Sequence, residues 1–123
     1  MRLYPGKIPI ISAEVISILS QDKDIEVKDT AEAQLDVQAV LKEYLRRDRD
    51  VSEEAKEYLQ RRNLPYSGFS KAKKMIAQQQ EFGVGEDTIT YIIQQIILAF
   101  ENSGNVEEIF SSDEDLNVKI RNI

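Results

Sequence analysis

Apolar residues fall at helical spacings through most of the chain. Two runs share one shape: Val37, Val40, Leu41 and Tyr44, and, 56 positions later, Ile93, Ile96, Ile97 and Phe100. Steps of 3, 1 and 3 put all four side chains on one helix face, so each run is half of a packing interface. Each leads to an acidic turn ending in an aliphatic residue, Asp48-Arg49-Asp50-Val51 first and Asp113-Glu114-Asp115-Leu116 later. The shared shape predicts a duplicated helical unit and an all-α protein.

The same reading divides the chain into about six helices. Pro5-Gly6 is a turn, and the first helix follows it with Ile8, Ile11, Val15, Ile18 and Leu19 facing inward. Ile25-Glu26-Val27 alternates as a very short strand would, although a linker fits equally. Asp29 or Thr30 can cap a second helix that carries the first run to about Arg47. Ser52, followed by Glu53 and Glu54, has the signature of a third helix start, with Ala55, Tyr58 and Leu59 as its apolar positions. Asn63 to Gly68 breaks the pattern and marks a boundary between units. Ser70 can cap a fourth helix with Ala72, Met75, Ile76, Gln79 and Phe82 inward, stopped by Gly83-Val84-Gly85. Asp87 caps the fifth, which ends at Ser103-Gly104, and a turn with Val106, Ile109 and Phe110 follows. Ser112 or Asp113 opens the sixth, which reaches Ile123 without a stop signal and predicts a chain that continues. The expected architecture is a compact bundle of two related three-helix units, residues 1–63 and 67–123. They are expected to form one globular domain packed through the two helices that carry the matching runs.

The second run is wider than the first. Ile89, Tyr91, Ile92, Ile93, Ile96, Ile97, Leu98 and Phe100 cover more than half of the helix circumference. Such a helix is either surrounded within the chain or meets another protein. Ile93, Ile97 and Phe100 are expected in the core. The extra face, Tyr91, Ile92 and Leu98, is the candidate partner-binding surface.

Composition narrows the chemistry. The 123 residues include no histidine and no cysteine. Ser–His–Asp and Cys–His catalysis are therefore impossible, as are disulfides and His- or Cys-ligated metal sites. The chain is expected to be no enzyme and to carry no cofactor or metal. Asp22-Lys23-Asp24-Ile25-Glu26 has the opening carboxylates of a calcium loop, but Val27 holds the sixth position and Ala33 the twelfth. Gly83-Val84-Gly85 lacks both a preceding strand and a third glycine, which leaves it a helix stop rather than a dinucleotide turn. The start has no signal-peptide run, and Ile89 to Phe100 is too short to span a bilayer, so a cytoplasmic protein without a membrane partner is expected.

Charge is uneven: residues 1–41 carry −3, residues 42–80 carry +4 and residues 81–123 carry −7. The positive middle admits a nucleic-acid surface built on Arg46, Arg47, Arg61 and Arg62, near several aromatic residues. The overall charge of −6 and the interleaved acids Glu43, Asp48, Asp50, Glu53, Glu54 and Glu57 weigh against it. A protein-interaction or adaptor role, with another protein or a second copy as partner, is the stronger expectation.

The opening Met1-Arg2-Leu3, Gly6-Lys7-Ile8 and the close Asp113-Glu114-Asp115-Leu116-Asn117-Val118-Lys119-Ile120-Arg121-Asn122-Ile123 resemble the two ends of the bacterial family known as domain of unknown function 507. In typical members those signatures lie closer together, so the resemblance implies a duplicated arrangement here. It implies a small cytoplasmic helical protein, and no functional residue transfers with it.

Overall fold

The computed structural model describes residues 3–123, so Met1 and Arg2 of the opening signature lie outside the described residues. Among those residues are five α-helices, α1 (Ile8–Gln21), α2 (Thr30–Arg61), α3 (Phe69–Gln79), α4 (Thr88–Asn102) and α5 (Asp113–Arg121). Two short strands, β1 (Ile25–Val27) and β2 (Val106–Ile109), form an antiparallel pair. The protein is thus mostly helical, with five helices in place of six.

The missing break is in α2, which runs unbroken for 32 residues, about 48 Å at the α-helical rise. The helix expected to end near Arg47 and the one expected to start at Ser52 are a single element. No glycine or proline interrupts it, and its buried positions Val37, Leu41, Tyr44, Val51, Ala55 and Leu59 keep one helical phase through the acidic turn. Arg46 straddles the expected break, pairing with Glu43 one turn back and with Asp50 at 2.8 Å one turn on. Asp48 falls on the inner side and is neutralised by Lys73 of α3 at 2.8 Å. Two separate three-helix units do not form, because α2 belongs to both halves of the core.

Asp29 caps α2 by accepting a hydrogen bond from the Glu32 amide, and Ser112 caps α5 by accepting one from the Asp115 amide. The inner face of α1 is Ile8, Ser12, Val15, Ile16 and Leu19, so the expected Ile18 turns outward and Ser12 is buried instead. In α3 the expected Gln79 is exposed, and Ala77 takes its inner place.

The four residues of the second run, Ile93, Ile96, Ile97 and Phe100, are all buried, and α4 packs against α2, α5 and the β2 strand. Ile25 pairs with Ile109 and Val27 with Val106, with an irregularity between Glu26 and Val27. Buried Ile25 and Val106 anchor this small sheet, which brings the end of α1 beside the start of α5. The turn expected around Val106 is therefore a strand, and the Ile25-Glu26-Val27 alternation is one too.

Candidate docking surface on the α4 ridge

An aromatic joint fixes α4 on α2. Tyr44 stacks on Phe82 at 5.0 Å between centroids, and Phe82 meets Tyr91 edge-on at 4.9 Å. The buried Tyr44 hydroxyl donates to the Gly83 carbonyl at 3.0 Å and stands 3.0 Å from the Thr88 hydroxyl, from which it accepts. Burial pushes the Tyr44 phenol above its ordinary pKa, with the Thr88 hydrogen bond acting the other way. A Cβ on Gly83 would stand 2.5 Å from the Tyr91 Cβ and 2.6 Å from the Asp87 carbonyl oxygen, so only glycine lets the loop pass α4 this closely. Arg47 closes the joint, with its guanidinium 4.7 Å above the Phe82 ring and its Nη1 donating to the Tyr91 hydroxyl at 2.9 Å.

This joint separates the three expected partner-binding residues. Ile92 is buried, and Tyr91 is half-buried within the joint. Both line a groove of about 410 Å³ between α2 and α4, with Val40 opposite and Asp36 and Glu43 on its rim. Those acids are engaged within the chain: Asp36 accepts from Ser103 at 2.6 Å and Asn105 at 2.9 Å, and Glu43 holds Arg46. The Arg46 hydrogen bond draws the Glu43 carboxyl below the usual range.

Leu98 points elsewhere, into a groove of about 640 Å³ between α4 and α5. Its floor holds Ile97, which is buried, beside Leu98 and Val118, which are 46% and 61% exposed. Its rim carries Glu101, Asp113 and Glu114, all exposed and none in an ion pair among the described residues. Gln95 borders both grooves, so they flank one exposed ridge of α4. Sequence periodicity selects Leu98 but passes over Val118. Val118 falls out of phase with Leu116 and Ile120, the buried positions of α5.

The four arginines weighed for nucleic acid do not converge. Arg46 and Arg47 are separated from Arg61 and Arg62 by 15 positions of one helix, roughly 22 Å. Arg46 and Arg61 are paired with acids on their own helix, the latter with Glu57 at 3.5 Å. Arg47 is held in the joint, and the Arg62 guanidinium lies 4.0 Å over the Tyr58 ring. Among the described residues no group of three or more acidic, histidine or cysteine side chains is placed to hold a metal ion. None of their helices is long and apolar enough to cross a membrane.

The sequence model of the family described as Protein of unknown function (DUF507) matches residues 1–123. The chain belongs to that family. A comparison with curated proteins found no match. The DUF507 match takes in the middle of the chain as well as the two ends that carried the resemblance.

The end segment of this DUF507 protein is held by a contact that sequence reading missed. Asp24, only 5% exposed, accepts from Lys119 of α5 at 2.6 Å and from the Ser111 hydroxyl. Lys119 also reaches Asp22 at 3.2 Å, and the Asp24 carbonyl accepts from the Phe110 amide at 2.8 Å. Burial by itself would raise the Asp24 carboxyl, but the Lys119 and Ser111 hydrogen bonds outweigh it and hold it below the usual value. The same bond to Asp24 pushes Lys119 up. Asp22 and Asp24 therefore latch α5 to the end of α1, which fixes one wall of the α4/α5 groove.

Proposed function

We propose that this protein is a non-catalytic interaction module whose α4/α5 groove docks an apolar, positively charged segment of a protein partner. The observation that carries the reading is the exposed pair Leu98 and Val118 beneath three carboxylates that have no ion-pair partner among the described residues. An apolar floor contributes burial, while a rim of one charge selects the partner's sign and speeds encounter. The absence of histidine and cysteine supports a role without catalysis, and zero cysteine suits a reducing cytoplasm.

Nucleic acid is the weaker reading, because Arg46 and Arg47 stand roughly 22 Å along α2 from Arg61 and Arg62, with acids between them, and Arg46, Arg47 and Arg61 are held by groups of this chain. The test is a titration with a Leu/Lys amphipathic helical peptide, run beside one in which every lysine is glutamate. The lysine peptide should shift the amide resonances of α4 and α5, and Leu98→Gln with Val118→Asn should weaken its binding about tenfold or more. Equal binding of both peptides would refute the reading. So would salt-sensitive binding of duplex DNA with no response to the lysine peptide.

A further inference from the structure

The far end of the molecule carries the complement of this groove. The α2–α3 tip, residues 56–74, has six basic residues and one acidic, whereas residues 98–118 have six acidic and none basic. The turn exposes Leu64 and Tyr66, at 47% and 69%, and Tyr66 stacks on Phe69 at 5.3 Å, which holds its ring in place. A further open groove of about 500 Å³ lies beside them, with Leu64, Pro65 and Met75 among its apolar residues and Lys71 at its edge. Lys71, Lys74 and Arg62 are exposed and make no ion pair among the described residues. The main packing partner of α3 is α2, so the tip projects away from α4 and α5.

Resting on the docking role proposed above, we infer that the occupant of the α4/α5 groove is the α2–α3 tip of a second copy of this chain. Leu64 and Tyr66 of one copy cover Leu98 and Val118 of the next, while Arg62 and Lys71 face Glu101 and Glu114. The tip and groove are different surfaces, so the contact is head to tail: each copy keeps one free tip and one free groove. Such an association grows past two copies unless its rotation closes a ring. Both faces are charged and only partly apolar, which makes the contact concentration-dependent and salt-sensitive.

Two double variants test this, Arg62→Glu with Lys71→Glu on the tip and Glu101→Lys with Glu114→Lys on the rim. All four side chains are exposed, so far-UV circular dichroism should match the parent protein, and the thermal midpoint should fall by only a few degrees through the lost Arg62–Tyr58 contact and a lysine in the first turn of α5. By sedimentation velocity the parent should rise with concentration beyond its 14.1 kDa monomer and beyond two copies, and weaken about tenfold from low to high salt. Each double variant alone should stay monomeric. Mixed in equal amounts, the native tip of the rim variant meets the native rim of the tip variant and the two reversed faces match each other, so the mixture should alternate the two variants and grow past two copies as the parent does. Monomeric parent protein at every concentration, with the lysine peptide still bound in the α4/α5 groove, would sink self-association and leave the docking role standing. If that peptide fails as well, both fall. Dimers that stop at two copies and survive in both variants would place the interface elsewhere. Two monomeric variants that do not pair on mixing would likewise refute the contact.

Discussion

Between Ala33 and Tyr44, α2 faces the body of the molecule. It buries Val37 and Leu41 and is tied across by Asp36 to Ser103 and by Tyr44 to Gly83. Between Val51 and Leu59 the same helix faces α3, and beyond Leu59 its residues lie in solvent. One continuous helix thus has an end enclosed by packing and hydrogen bonds and an end that presents aromatic and basic side chains. Packing up to Leu59 is expected to set stability and the exposed residues beyond it are not, a contrast that substitutions on each side can break or sharpen. The α4/α5 groove joins the two behaviours, because its floor is core and its rim is surface.

The largest effect is expected at that floor. Ile97→Ala removes a side chain that is buried in α4 beside Leu98, and the cavity should cost about 2–5 kcal/mol in urea unfolding. A loss below about 1 kcal/mol would mean that the α4 face is held by a partner rather than by the chain, and the enclosed end would shrink accordingly.

A smaller effect is expected at the latch, and its sign follows from the two directions. The Asp24 carboxyl is held below its ordinary value, so its stabilisation is complete above that value and is lost as pH falls through the lowered one. Lys119 is raised above its ordinary value, so its contribution is complete below that value and is lost as pH rises through the raised one. The latch is therefore intact from mildly acidic to mildly alkaline pH and opens at both extremes. Asp24→Asn should lower the thermal midpoint at neutral pH and flatten its fall on acidification, read by circular dichroism. An acid limb as steep in Asp24→Asn as in the parent protein would assign acid sensitivity to other carboxylates.

The body was largely legible in the sequence, because burial imposes periodicity. Ile93, Ile96, Ile97 and Phe100 are buried, and Asp29 and Ser112 cap as their residue types suggest. Helix ends were less legible, because three of them use a left-handed residue that is not glycine: Lys23, Asn63 and Glu81. In each case the next residue's amide bonds back to the last turn, as Phe82 does to Ala77 at 2.8 Å, and that backbone bond leaves no mark on composition. Ser52 shows the opposite failure. It has the residue types of a helix start, yet sits inside α2, where buried Val51 and Ala55 on either side keep the helix running. The latch and the α4/α5 groove join positions far apart in the chain, and no local pattern encodes such pairs. Asp24 and Lys119 are 95 positions apart.

The smallest effect on stability is expected at the tip, where it matters most to the comparison. Leu64 and Tyr66 are among the most exposed large apolar residues of the described chain, and truncating them opens no cavity. Leu64→Ser with Tyr66→Ser should change the unfolding free energy by less than about 0.5 kcal/mol per site, within the range of ordinary surface substitutions. If a second copy covers these side chains, the same variant should fall to monomer at concentrations where the parent protein associates. A drop of 2 kcal/mol or more, roughly the scale of emptying a core position, would show that the tip is packed like the body. The contrast between the two ends of α2 would then disappear. Unchanged stability with lost association is the one result that separates a surface kept for a partner from a surface merely left exposed.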